Sequence, residues 1–149
     1  MRTTAVWAMA AAGVALIACQ EGITTVPTLR ENTPPTIEEL VVGSSEGLED
    51  PRGGVHVFRG GSVPVQLVAR DREGGELTAR ATAATGKISF GAPVVVDSAS
   101  REGRRVRWTG TYKAAAWCAT DAVKVMVGDP ESATATETVE VTCLTVEPW

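Results

Sequence analysis

Cysteine supplies the most reactive side chains in this sequence, and one of its three cysteines stands in a distinctive setting. Cys19 follows the small residue Ala18 at the end of an apolar run from Ala5 to Ile17, which comes after Arg2. A basic start, a short apolar core and small residues before the cleavage point are typical of an export signal. The run is about thirteen residues long, shorter than the roughly 20 that a membrane-spanning helix needs. The pattern therefore predicts a cleaved signal peptide.

The segment Leu16-Ile17-Ala18-Cys19 resembles the lipobox of bacterial lipoproteins. The resemblance implies that the Cys19 thiol receives a diacylglyceryl group, that signal peptidase II removes residues 1–18, and that a fatty acid such as palmitate then acylates the new amino terminus. Each buried methylene contributes roughly 0.8 kcal/mol to membrane binding, so several chains would hold the protein on its membrane. An ordinary secretory signal cut elsewhere, or a buried N-terminal helix, is the alternative.

The residue after the lipobox indicates which membrane would hold the protein. In enteric lipoproteins an Asp at this position causes retention in the inner membrane, and here the residue is Gln20. The resemblance thus implies the cell envelope of a bacterium and, in a Gram-negative one, its outer membrane.

Residues 19–35 combine the lipidated N-terminus with a segment rich in Pro and Thr that has no sustained period. Such a composition predicts a flexible tether, and Pro-rich linkers extend by about 3.1 Å per residue. An edge strand at Ile23 to Val26 is the alternative for part of it.

The charge balance restricts the classes of partner. The chain carries 14 Lys and Arg against 18 Asp and Glu, a net charge of −4. A nucleic-acid binder would show a basic face and a high isoelectric point, so no nucleic-acid partner is expected. The remaining length suits one domain, which we place at residues 36–147.

From Thr36 onward, short runs rich in β-branched residues are separated by Gly, Pro, Asp and Ser, the pattern of an all-β sandwich. Alternation predicts that Val63, Val65, Leu67 and Ala69 face one side of a strand, with Val68 on the other. The same reasoning predicts core positions at Val106, Trp108, Val123, Val125, Val127, Val139, Val141 and Cys143. We predict nine strands, at Ile37 to Val42, Val55 to Phe58, Ser62 to Arg70, Glu76 to Thr82, Lys87 to Phe90, Pro93 to Asp97, Arg105 to Tyr112, Ala122 to Gly128 and Ala133 to Thr145.

Two segments resemble bacterial immunoglobulin-like, PKD-like and cadherin-like surface domains. The stretch from Val63 to Thr78 is similar to their V-x-L-x-A-x-D-x-D-G-D-x-L-T hairpin, and the stretch from Val123 to Pro130 is similar to their last hairpin. The chain departs from the pattern at Ala81, where Trp is common, at Gly75, where the third acid would stand, and in lacking a tyrosine corner. The resemblance implies an immunoglobulin-like antiparallel β-sandwich of about seven to nine strands.

With Cys19 consumed by lipid, Cys118 and Cys143 remain as an even pair, and an exported location lets disulfides persist. We predict that they bond to each other. Two free buried thiols or a metal-binding pair are the alternatives, although His56 is the only histidine and two isolated cysteines lack zinc-site spacing.

The last two strands test this pairing. A four-residue loop at Asp129 to Ser132 would place Cys118 opposite Cys143, yet it would put Val123 and Val139 on opposite faces. A bulge, a loop of odd length, or a Cys118 that lies just before the ladder would remove the conflict. We favour the last because residues 114–120 lack a regular pattern.

Three groups of side chains could form sites. Asp71, Glu73 and Glu76, with Asp129, resemble the carboxylates that bind calcium in related loops, and a solvated turn explains them equally well. We therefore predict no metal and no cofactor.

A basic run at Arg101, Arg104, Arg105 and Arg107, next to Trp108, could bind phosphate or an acidic sugar, or it could be a soluble hairpin tip. Trp117 and Trp149 could stack on a sugar, but we expect Trp117 to pack against the disulfide.

No enzyme is predicted, because His56 has no nearby nucleophile and Ser62 lies in no nucleophile elbow. Two functions remain: a membrane-anchored binding or adhesion module that holds an envelope protein or glycan, and a structural envelope spacer or assembly lipoprotein without a specific ligand.

Overall fold

The computed structural model describes residues 31–43 and 54–145, with the side chains of residues 99 and 100 left aside. The predicted signal peptide, Cys19, most of the predicted tether and Trp149 lie outside these ranges. Within them, no helix is long and apolar enough to cross a membrane. The described residues form nine strands: β1 (Thr36–Val42), β2 (Val55–Phe58), β3 (Ser62–Asp71), β4 (Thr78–Ala83), β5 (Lys87–Phe90), β6 (Val94–Ser100), β7 (Gly103–Lys113), β8 (Thr120–Gly128) and β9 (Thr134–Leu144). Each corresponds to a predicted strand.

The strands form two sheets in the order expected of an immunoglobulin-like sandwich. Sheet A has the order β1-β3-β7-β5, with β6 also paired to β7, and sheet B has the order β2-β9-β8-β4. These orders match the ABED and GFC sheets of constant-type immunoglobulin domains, with β2 added at the edge of β9. The predicted fold class is therefore confirmed. One pair differs from the antiparallel expectation: β2 runs parallel to β9, because the chain crosses from sheet A to sheet B between β1 and β2.

Alternation along the strands builds the core between the sheets. Val65, Leu67 and Ala69 are buried as predicted. The predicted inward positions on the other strands also join the core, with Val139 packed at its margin: Val106, Trp108, Val123, Val125, Val127, Val141 and Cys143. Val68 was expected outside and is also buried, at 3% exposure. It lies in the middle of sheet A between Glu39 and Arg107, whose long side chains flank it.

The β8–β9 pairing resolves the conflict that the four-residue loop created. Gly128 pairs with Thr134, so the connecting loop has one more residue than predicted, and Val123 lies directly opposite Val139. Cys118 lies before the first paired residue of β8, as we favoured, but the loop of odd length is what removes the conflict. It forms the predicted disulfide with Cys143, with the two Cα atoms 5.6 Å apart. Closing a loop of this length stabilises the fold by about 3 kcal/mol in the chain-entropy model.

A buried carboxylate that the sequence analysis did not single out joins β7, β8 and the β4–β5 loop. Asp121 accepts hydrogen bonds from the Tyr112 hydroxyl at 2.6 Å and from the backbone N–H groups of Thr85 at 2.9 Å and Gly86 at 2.8 Å. Burial alone would raise the pKa of Asp121, but these hydrogen bonds, with that from Ala122, outweigh it and lower the pKa. Burial and the Asp121 carboxylate raise the pKa of Tyr112.

Candidate functional site

The sandwich has two ends that differ in chemistry. The entry end is where β1 begins at Thr36, β3 ends at Asp71 and β7 begins at Gly103. The far end is where β2 ends at Phe58 and β8 begins at Thr120. Because the strands are antiparallel for the most part, each end gathers loops from both sheets. Candidate sites therefore fall into an entry-end group and a far-end group.

At the entry end, the predicted calcium carboxylates serve the turns instead. Asp71 accepts hydrogen bonds from the backbone N–H groups of Glu73 and Gly75, and Glu73 accepts one from the backbone N–H of Thr33. Glu76 is exposed. Among the residues described, no three His, Cys, Asp or Glu side chains come together as a metal site. The Glu73 carboxylate lies beside that of Asp71, but in the described part of the chain no third such side chain joins them.

The neighbouring turn repeats this arrangement. Asp129 accepts hydrogen bonds from the backbone N–H groups of Glu131 and Ala133, both at 2.9 Å, and from the Asn32 side chain at 2.8 Å. The last residues of the predicted tether therefore contact both entry-end turns, through Asn32 and Thr33. Burial, and secondarily the Glu73 carboxylate, raises the pKa of Asp71 in spite of its backbone hydrogen bonds.

The predicted arginine site is divided between two faces of β7. Trp108 is 3% exposed and belongs to the core, so it cannot contact a ligand at the surface. Arg104 lies on the same side of the strand as Trp108, and its Nε is buried without a hydrogen-bond partner in the described structure. Arg105 and Arg107 lie on the outer face of sheet A, where Arg107 is exposed. The prediction of one site is wrong, because strand alternation places its members on two faces: Arg104 and Trp108 on one, Arg105 and Arg107 on the other.

Arg105 instead belongs to an ion-pair network on the outer face. It lies directly opposite Arg70 in the β3–β7 ladder, a juxtaposition of like charges that would be unfavourable alone. Glu38 bridges them, with its two carboxylate oxygens each 2.6 Å from one Nε atom. Burial opposes ionisation of Glu38, but the hydrogen bonds and charges of the two arginines lower its pKa overall.

A β-bulge explains how Glu38 reaches this position. The pairing of β1 with β3 shifts between Ile37 and Glu39, so Glu38 is an extra residue without a direct partner. The bulge lets Ile37 and Leu40 both pack on the core while the two acids between them face outward. The sequence from Ile37 to Leu40, Ile-Glu-Glu-Leu, indicates this bulge, because strict alternation cannot place both glutamates outside.

The far end exposes aromatic side chains. Trp117 is 71% exposed and Phe58 is 48% exposed. The expectation that Trp117 packs against the disulfide is wrong: the adjacent Cys118 is buried, and the indole extends into solvent. The Phe58 turn and the Trp117 turn are tied together, because Ala115 accepts a hydrogen bond from the N–H of Gly60 and the N–H of Ala114 donates one to Gly61. We call Phe58 and Trp117 with these turns the far-end aromatic surface.

One edge of sheet A is also apolar. The side chains of Val94, Val95 and Val96 on β6 are exposed, and β6 pairs with β7 alone. Its contacts with sheet B are few, so both faces of this strand meet solvent. Pro93 and the register shift at Asp97 bound the segment, and both features discourage further strand pairing.

The chain resembles solved structures, among them a bacterial immunoglobulin-like domain. The BIgI domain of beta protein from S. agalactiae, solved bound to CEACAM1, is 14% identical in sequence to this chain, covers 75% of it over 100% of its own length, and has a TM-score of 0.42. No family model and no curated protein matches the chain. The fold assignment therefore rests on the order of strands in the two sheets.

Proposed function

We propose that this protein is a lipid-anchored lipoprotein of the bacterial cell envelope that presents its sandwich, residues 36–147, as a non-catalytic binding module. The lipobox-like segment ending at Cys19 supports the anchor, and Gln20 supports the outer membrane. The observation that carries the binding role is the far-end aromatic surface. Its partner is an envelope protein or a glycan, because both present apolar faces that indole and phenyl rings cover well.

The physical argument begins with exposure. Scattered apolar side chains are common on protein surfaces, but tryptophan is enriched where interfaces gain most of their energy. Burying one large apolar side chain contributes about 1.5 to 3 kcal/mol. Trp117 and Phe58 occupy turns joined by backbone hydrogen bonds, and the disulfide follows Trp117 directly. Because these turns are already ordered, binding would cost little further conformational entropy.

The proposed absence of catalysis rests on how the buried acids are used. Asp71, Asp121 and Asp129 are the buried charged residues of the described chain. Each carboxylate accepts hydrogen bonds from backbone N–H groups that hold a turn or loop. A general acid or base must instead reach a substrate proton. These acids therefore serve the fold.

The far-end aromatic surface lies at the opposite end of the sandwich from the start of β1. β1 begins at the entry end, directly after the predicted tether, whereas Trp117 and Phe58 lie at the far end. The described domain thus begins at one end of the sandwich and carries the aromatic surface at the other.

Two variants test the proposal in the native envelope. Full-length protein is purified in mild detergent after crosslinking in whole cells, and the material that co-purifies is identified by mass spectrometry. Phe58→Ser/Trp117→Ser should lose a specific partner, whereas Met126→Ser, which changes an exposed apolar residue on sheet B, should retain it. No partner for any form would instead favour a structural spacer, and equal retention by all forms would show that the partner does not bind at the far-end aromatic surface. Separately, Cys19→Ser should abolish lipid labelling and release the protein; unchanged processing and membrane retention would refute the anchor.

A further inference from the structure

A groove at the entry end gathers arginine side chains from three parts of the chain. Its cavity volume is about 520 Å³, and it is lined by Thr36, Glu38, Arg70, Arg72, Arg101 and Glu102. Arg70 is the last residue but one of β3 and lies on its outer face, Arg72 follows in the β3–β4 turn, and Arg101 lies in the β6–β7 turn. Residues far apart in sequence therefore meet through the pairing of β3 with β7.

The guanidinium group of Arg70 is held in place. Its Nε lies 2.6 Å from Glu38 and its Nη1 lies 3.2 Å from Glu102. Asp97 adds a further attraction. Each contact pairs the guanidinium group with a carboxylate, and such charge-assisted hydrogen bonds fix its orientation. Arg70 is thus ordered before any ligand arrives.

Arg72 and Arg101 are exposed, and within the described chain neither forms an ion pair. The lining of the groove carries three arginines against the two glutamates Glu38 and Glu102, an excess of one positive charge. The groove therefore combines the exposed guanidinium groups of Arg72 and Arg101 with the ordered one of Arg70.

We propose that this groove binds a phosphate group. A phosphate oxygen accepts charge-assisted hydrogen bonds from arginine, and several guanidinium groups from different directions suit a tetrahedral anion better than a flat one. The two glutamates in the lining disfavour a highly charged polyanion, so a single phosphate is the ligand. It comes either from a phospholipid headgroup or from phosphate free in solution. This site is at the opposite end from the far-end aromatic surface and does not depend on the binding role proposed there.

The test follows the arginine Nε–Hε signals by NMR in the full chain, held in micelles of dodecyl maltoside, a detergent without phosphate. Inorganic phosphate is titrated against chloride at equal ionic strength, because screening alone weakens surface electrostatics. In a second arm, the chain is held in nanodiscs of phosphatidylglycerol and no free phosphate is added. Saturable shifts at Arg72 and Arg101 in the first arm support free phosphate, and shifts confined to the second arm support the headgroup.

Followed at the Arg70 Nε–Hε signal, which both double variants retain, the variant Arg72→Gln/Arg101→Gln should weaken binding about tenfold or more, a change that corresponds to about 1.4 kcal/mol. The matched control, Arg59→Gln/Arg80→Gln, removes the same charge from exposed positions at the far end and on β4. It should bind as the unmodified protein does. Comparable thermal unfolding of all forms would establish that folding is unchanged. Absence of shifts in both arms, or equal loss in the two double variants, would overturn the proposal.

Discussion

Each end of the sandwich contains a buried aspartate that accepts hydrogen bonds from a loop, yet the pKa values of the two carboxyl groups shift in opposite directions. At the far end, Asp121 receives hydrogen bonds from Tyr112 and from backbone N–H groups, and its pKa is lowered. At the entry end, Asp71 also receives backbone hydrogen bonds, but Glu73 lies beside it and its pKa is raised. Burial opposes ionisation at both sites. The neighbours of each carboxylate therefore decide which charge state the fold prefers.

The core and the far end also differ in their use of aromatic residues. Trp108, within sheet A, is enclosed by the core, whereas Trp117 at the far end meets solvent. The same residue type thus serves packing in one place and remains available for binding in the other.

The largest expected effect separates these two tryptophans. Trp108→Ala should lower the free energy of unfolding by about 3 to 5 kcal/mol, because it leaves a cavity in the core. Trp117→Ala should change it by less than about 0.5 kcal/mol, as is usual for exposed positions. Urea unfolding followed by circular dichroism measures both. A large loss for Trp117→Ala would show that the indole supports the fold, contrary to its exposure.

The next effect compares the buried aspartates. Asp121→Ala should cost about 3 kcal/mol or more, because it leaves the Tyr112 hydroxyl and two backbone N–H groups without their acceptor. Asp71→Ala should cost about 1 to 2 kcal/mol, because it frees only two N–H groups of an exposed turn. Asp121→Asn, which keeps one acceptor oxygen, is the control and should fall between Asp121→Ala and the unmodified protein in the same unfolding experiment. Equal losses for the two alanine variants would contradict the distinction between the ends.

The smallest effect is the pH dependence, which should have opposite signs at the two ends. Because the folded pKa of Asp121 lies below the ordinary 3.8, its stabilising contribution is complete above that value and is lost as the pH falls through the folded pKa. Because the folded pKa of Asp71 lies above 3.8, its ionised form costs stability, and the cost disappears as the pH falls through the folded pKa.

Unfolding free energies measured from about pH 7 to pH 2 reveal both slopes. On acidification, the free energy of unfolding of the unmodified protein should fall relative to that of Asp121→Asn. Relative to that of Asp71→Asn, it should rise. Parallel curves for the two variants would contradict the opposite pKa shifts.

Local patterns in the sequence were sufficient to predict the strands and most of the core. Alternation placed Val65 and Leu67 inside, and the parity of cysteines, together with a predicted export signal, predicted the Cys118–Cys143 disulfide. These inferences succeeded because strand alternation depends on neighbouring residues, and a pair of cysteines has few possible partners.

The remaining features depend on which strands become neighbours, and a single sequence does not encode this locally. Glu38 meets Arg70 and Arg105 because β1, β3 and β7 are adjacent in sheet A. Asp121 on β8 accepts a hydrogen bond from Gly86 in the β4–β5 loop, because β4 is adjacent to β8 in sheet B. The arginine run looked continuous in sequence, but alternation along β7 divides it between two faces. That alternation could have been applied to the run in advance.

Site-specific photocrosslinking in living cells tests the proposed binding role most directly. A photoreactive phenylalanine analogue is placed at Trp117, or at Met126 on the exposed face of sheet B as the control. Illumination should yield a discrete crosslinked product from position 117 and none from position 126. No product at position 117, or the same products from both positions, would contradict the assignment of the far-end aromatic surface as the binding site.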